Sequence, residues 1–113
     1  MHAVVGVWTM AESQRAEQDK GLAEIIIPIV RAHPGFVCGY WMRDPETGKG
    51  HTTIVLHNEE SARALKKVVE GNRQAQARAG ITNDTLAVVE VQAHTTGSRD
   101  RASSLSTAYT PSR

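Results

Sequence analysis

Several side chains in this sequence are of types that do chemistry, and their spacing sorts them. His51 and His57 share one parity of a strand-like run, six residues apart. At about 3.3 Å per residue they stand roughly 20 Å apart, too far to share a metal whose ligands sit about 2 Å from it. They read as surface or interface histidines, and no metal site is assigned. Cys38 is the single cysteine, which excludes an intrachain disulfide and a cysteine-cluster zinc site. No acidifying partner lies near it in sequence, so it reads as a small buried apolar residue. Glu90 is open to three readings: a buried charge paired with arginine, a base, or a rim ion pair. Gly48-Lys49-Gly50 is a hairpin turn, not a phosphate loop, because no helix follows it directly. Trp8 and Trp41 are candidate ligand-binding residues, since two indoles on one face can hold a flat molecule. Core packing is the competing reading, because burying one indole yields about 4–6 kcal/mol gross. His33 is the third candidate. It could stand at the mouth of such a cleft, or favour the negative end of a helix dipole when charged. No group of residues forms an acid–base constellation, and no catalytic residue is assigned.

The rest of the chain must position these groups. Its 113 residues suit one domain with one core. A formal charge of +1 gives no case for a nucleic-acid partner. The lone cysteine fits a reducing compartment. No signal-peptide pattern opens the chain, and the apolar run Ile25 to Val30 is far short of a membrane span. Cytoplasm is the expected location.

Residues 2–9 are apolar and β-branched and read as a central strand. Thr9-Met10-Ala11-Glu12 has capping-box spacing, with Ser13 as a rival cap. The spacing predicts a helix from about 12 to 32, with Leu22, Ile25, Ile26, Ile29 and His33 as its inward stripe. Pro28 removes the amide that would reach the Glu24 carbonyl, which predicts a bend. His33-Pro34-Gly35 ends the helix. Residues 36–43 and 51–58 read as strands joined by the turn Asp44 to Gly50. Asn58 caps a second helix with Glu59 and Glu60 in its first turn. Ala62, Leu65 and Val69 face inward, Gly71-Asn72 interrupts the helix, and Gly80 closes it. Residues 85–94 form the last strand. Residues 95–113 are polar and read as a tail, with Leu105 and Tyr109 as candidate anchors along a partner subunit.

The order β-α-β-β-α-β is the ferredoxin-like plan: a four-stranded antiparallel sheet with two helices on one face, in the α+β class. Alternation sorts the side chains. Val4, Gly6, Trp8, Val37, Gly39, Trp41, Thr52, Ile54, Leu56, Ala87, Val89 and Val91 are expected under the helices. Val5, Val7, Thr9, Phe36, Cys38, Tyr40, Met42, His51, Thr53, Val55, His57, Leu86, Val88 and Glu90 are expected on the open face. That second set is too apolar to face water alone, and a two-fold dimer with sheet packed on sheet is the simplest cover.

His33-Pro34-Gly35-Phe36, Gly39-Tyr40-Trp41, Asp44-Pro45-Glu46-Thr47-Gly48 and Asn58-Glu59-Glu60-Ser61-Ala62-Arg63-Ala64 carry a resemblance. So does Ala79-Gly80-Ile81 leading into Val89-Glu90-Val91. Residues 3–94 resemble the dimeric α+β barrel superfamily, in particular its antibiotic-biosynthesis-monooxygenase-like (ABM) branch. The resemblance implies a homodimer whose sheets form the barrel and a ligand cleft between sheet and helices. It also implies oxygenation without a bound cofactor as one activity. Residues 59–79 contain no histidine, which departs from the haem-degrading relatives. The function expected is binding of a small flat or apolar molecule, with cofactor-independent monooxygenation as the finer reading. The alternative is a non-catalytic ligand-binding or stress-related dimer.

Overall fold

The computed structural model describes residues 1–97. The anchors expected in the tail, Leu105 and Tyr109, lie outside the described residues. The elements run β1 His2–Met10, α1 Arg15–Gly21, α2 Ile27–Ala32, β2 Phe36–Arg43, β3 Gly50–Leu56, α3 Glu59–Gly71, α4 Arg73–Arg78 and β4 Ile81–Glu90. A 3₁₀ turn, Glu12–Gln14, leads into α1, and a π turn, Leu22–Ile26, joins α1 to α2. The sheet order is β2-β3-β1-β4, every pair antiparallel. This is the ferredoxin-like plan expected from the element order.

The second helical crossover follows local chemistry closely. The Asn58 side chain accepts the Ser61 N–H at 2.8 Å, so it caps α3. Arg63 donates to Glu59 one turn away at 2.7 Å. Ala62 and Leu65 are fully buried and Val69 packs beside them. Asn72 separates α3 from α4, and Gly80 at φ +74° turns the chain into β4.

The first crossover departs from the expected periodicity. Ile27 N–H bonds the Leu22 carbonyl, five residues back, just ahead of Pro28, which has no N–H to donate. The inward positions become Gln18, Leu22, Ile27 and Val30, with one step of five. Gln18 and Val30 are buried, whereas Ile25 and Ile29 are 58% and 47% exposed. The extra residue in the turn rotates the predicted isoleucine stripe outward. Thr9 is likewise not the helix cap. β1 continues to Met10, Ala11 is the cap residue, and the Thr9 hydroxyl donates to Asp84 at 2.9 Å.

Register also corrects the two faces. Phe36 pairs with Leu56 and Cys38 with Val55, so a bulge makes Val37 the extra residue. Phe36 therefore turns into the core and Val37 outward. On β4, Leu86 stands opposite Gly6 and Val88 opposite Val4. These two pack on the core, while Ala87 and Val89 are exposed. Both parities of this strand are apolar, so alternation alone leaves its face undetermined. Glu90 stands opposite His2, not on the open face. β3 ends at Leu56, which leaves His57 beyond the strand.

The core lies between helices and sheet and contains Val4, Val30, Ile54, Leu56, Ala62 and Leu65. α3 packs over β1, β3 and β4, and α2 over β2. No helix among the described residues is long and apolar enough to cross a membrane.

Candidate functional site

The helix-facing side of β2, β3 and β1 forms cross-strand rows. The row at the open end is Arg43–Gly50–Trp8 and the next is Trp41–Thr52–Gly6. Deeper lies Gly39–Ile54–Val4, then Phe36–Leu56–His2. The first two rows bring Trp8 and Trp41 onto one face, separated by β3.

Each indole lies against a glycine two residues before it. A methyl group at Gly6 would stand 3.0 Å from Trp8 Nε1, and one at Gly39 would stand 3.0 Å from the far edge of the Trp41 ring. The missing side chains let both rings recline on the sheet. At Gly50 the space is taken by Met10, whose sulfur would stand 2.7 Å from a methyl group there. Trp8 Nε1 is buried and has no hydrogen-bond partner among the described residues. An unmade buried hydrogen bond of this kind costs about 1–3 kcal/mol.

Gln18 is buried on the inward side of α1. Its amide nitrogen donates to the carbonyls of Ala11 at 3.0 Å and Ala79 at 2.9 Å. Both amide hydrogens are used on carbonyls, which fixes the orientation of the group. Its Oε1 is left buried without a partner among the described residues. Thus α1 is tied to the end of β1 and the start of β4.

A cleft of about 340 Å³ opens beside Arg43, lined by Glu12, Arg15, Arg43, Asp44, Pro45 and Gly48; neither indole is in its wall. The Asp44 carboxylate accepts the Glu46 N–H at 2.8 Å within its own turn. That bond is the main cause that holds its pKa below the ordinary value. Arg43 lies 3.8 Å from Glu12 and 4.0 Å from Asp19.

His33 stands apart from this site. Its Nε2 donates to the Ser61 carbonyl at 3.1 Å, next to the Phe36 row at the opposite end of the sheet. The contact ties the end of α2 to α3. Sequence reasoning missed Arg43 and Gln18. The signal for Arg43 was its parity with Trp41 on one strand. Gln18 lies one helical turn before Leu22 but carried no apolar signal, so a search for apolar residues at helical period passes over it.

The open face carries a different set. Its rows are Met42–His51–Val7–Thr85, Tyr40–Thr53–Val5–Ala87 and Cys38–Val55–Ala3–Val89. Tyr40 is 60% exposed and Met42 and Val89 are exposed too. At its rim, Lys49 donates to Asp84 at 2.7 Å and to Thr9 at 3.2 Å. The Lys49 bond first, then the Thr9 hydroxyl, hold the Asp84 carboxyl below its ordinary pKa.

No family model matches the chain, and no curated protein matches it in sequence. Among solved structures, the fold matches a Deinococcus radiodurans protein provisionally named an antibiotic biosynthesis monooxygenase. The TM-score is 0.70 at 15% identity, covering 88% of this chain and 100% of that one. At this identity the likeness is one of overall fold, which in this chain is four antiparallel strands in ferredoxin-like order with helices on one face.

Proposed function

We propose that this protein is a homodimer, closed through its open sheet face, that binds a small flat molecule between helices and sheet. The observation that carries the ligand reading is the paired indoles reclining on Gly6 and Gly39, one with a buried N–H that lacks an acceptor. A flat ligand that presents an oxygen to Trp8 and a ring to Trp41 satisfies both. The mixed but largely apolar open face supports the dimer, since an apolar patch of this breadth on a small chain marks a contact surface.

The finer reading is oxygenation without a resident cofactor. The substrate itself then supplies the electrons: conversion of a ring CH₂ to C=O consumes one O₂ and releases one water. The protein's part is to exclude solvent and fix the ring. Titration with a series of naphthoquinones tests binding, with quenching of tryptophan emission expected. No quench at millimolar ligand would contradict the cleft. Oxygen uptake with the matching hydroquinones or phenols separates the oxygenase from a dimer that only binds, for which uptake stays at the uncatalysed rate.

A further inference from the structure

The π turn that carries the isoleucines outward leaves an apolar helix surface uncovered. From Ala23 to Ala32 every residue except Ile27 and Val30 is exposed. Ile25 is 58% exposed, Ile26 37% and Ile29 47%. Val30 holds the other side of α2 in the core, against the sheet, so a contact through the open sheet face leaves these isoleucines in water. A cluster of large exposed aliphatics marks a surface that meets another protein. The charged residues of the stretch, Glu24 and Arg31, have no ion-pair partner among the described residues.

The order of residues selects the occupant. Ala23-Glu24-Ile25-Ile26-Ile27 is followed by Pro28-Ile29-Val30-Arg31-Ala32, and the second half mirrors the first about a centre between Ile27 and Pro28. Ala23 answers Ala32, Ile26 answers Ile29, and Glu24 answers Arg31 with the opposite charge. A two-fold axis through that centre lays two copies antiparallel, which is the self-complementary arrangement of an isologous contact. Glu24 of each copy then meets Arg31 of the other, and Ile25 and Ile26 of each face Ile29 of the other. The small Ala23 and Ala32 let the ends approach. A parallel pairing would set Glu24 against Glu24 and Arg31 against Arg31. Flanking charges choose between such orientations in helix pairs, and antiparallel helix dipoles favour the same choice.

We infer that this stripe is a second contact between copies of the chain, made helix to helix and antiparallel, apart from the sheet contact proposed above. About ten residues of helix span about 15 Å. The contact therefore buries much less than the roughly 1,600 Å² of a standard interface, and it is weak.

The test is sedimentation equilibrium from tens to hundreds of micromolar. In Tyr40→Asp, where the sheet contact is removed, the mass should rise from one chain to two. In the unmodified protein it should rise above two chains. Glu24→Arg and Arg31→Glu should each weaken this step at least about tenfold, since each breaks both ion pairs. The double variant should restore it, and Ile29→Asp should abolish it. Glu60→Arg, an exposed site on α3, makes the same change in net charge as Glu24→Arg and should have no effect. A mass that does not rise with concentration overturns the inference. So does a double variant no better than the single ones, or a Glu60→Arg effect as large as that of Glu24→Arg. If the unmodified protein is a single chain when dilute and still rises to two with this pattern of variants, the sheet contact fails and the helix contact stands.

Discussion

Tyr40, Thr53, Val5 and Ala87 stand side by side across the sheet, with no helix over them among the described residues. One residue back on β2 and β1, and one forward on β3 and β4, Gly39, Ile54, Val4 and Val88 form the neighbouring row under the helices. Ile54 and Val4 there are almost fully buried, whereas Tyr40 is 60% exposed. The same strands thus build two surfaces of different character. The covered face combines large aliphatics with glycines that admit indole rings. The open face offers moderate apolar groups and no cavity-forming glycine, a surface suited to contact with another surface.

The largest effect should come from the covered face. Leu65→Ala removes a side chain that is 1% exposed and should cost about 2–5 kcal/mol in urea unfolding. Ile29→Ala, on the outward side of α2, should cost under about 0.5 kcal/mol. Equal costs would mean that the step of five in the first crossover does not turn the isoleucines outward.

The open face is broken next. Tyr40→Asp places a charge in the middle row, where the single chain leaves it solvated. The fold should survive with its far-ultraviolet spectrum intact, while the dimer dissociation constant rises by at least about 30-fold. An unchanged constant would place the contact elsewhere.

A smaller effect concerns the cap that holds α3 on the covered face. Asn58→Ala leaves the Ser61 N–H without its acceptor and should cost about 1 kcal/mol, with Asn58→Asp close to neutral.

The smallest is a pH dependence at the rim of the open face. Asp84 is held below its ordinary pKa by Lys49 and Thr9. The folded carboxyl therefore binds a proton less readily than the unfolded one. Its stabilisation is present above about pH 4 and is lost as pH falls through the folded value. The melting-temperature gap between the unmodified protein and Asp84→Asn should be widest at pH 7 and should narrow by pH 3. A gap that does not change with pH would show that the Lys49 contact contributes nothing.

Much of the architecture was legible because local chemistry and tertiary packing agree there. Asn58, Gly80, the Asp44 turn and the apolar strands each announce themselves through residue type. Two of the misplacements share one physical origin, a single inserted residue. The bulge at Val37 turned Phe36 inward, and the π turn at Leu22–Ile26 turned Ile27 and Val30 inward and Ile25 and Ile29 outward. Strict periods of 2 or 3.6 cannot register such an insertion. On β4 the difficulty was different: Leu86, Ala87, Val88 and Val89 are all apolar, and only pairing with β1 decides which face each one takes. The indole pair was legible by parity. The cleft beside Arg43 was not, because its walls depend on where the 3₁₀ turn places Glu12 and Arg15.

The division of the sheet into a ligand face and a contact face is tested most directly by sedimentation equilibrium of the full chain at micromolar concentration. The account predicts the mass of two chains, falling to one in Tyr40→Asp. A single-chain mass for the unmodified protein at tens of micromolar would contradict it, since the exposed rows around Tyr40 would then face water with no partner to cover them.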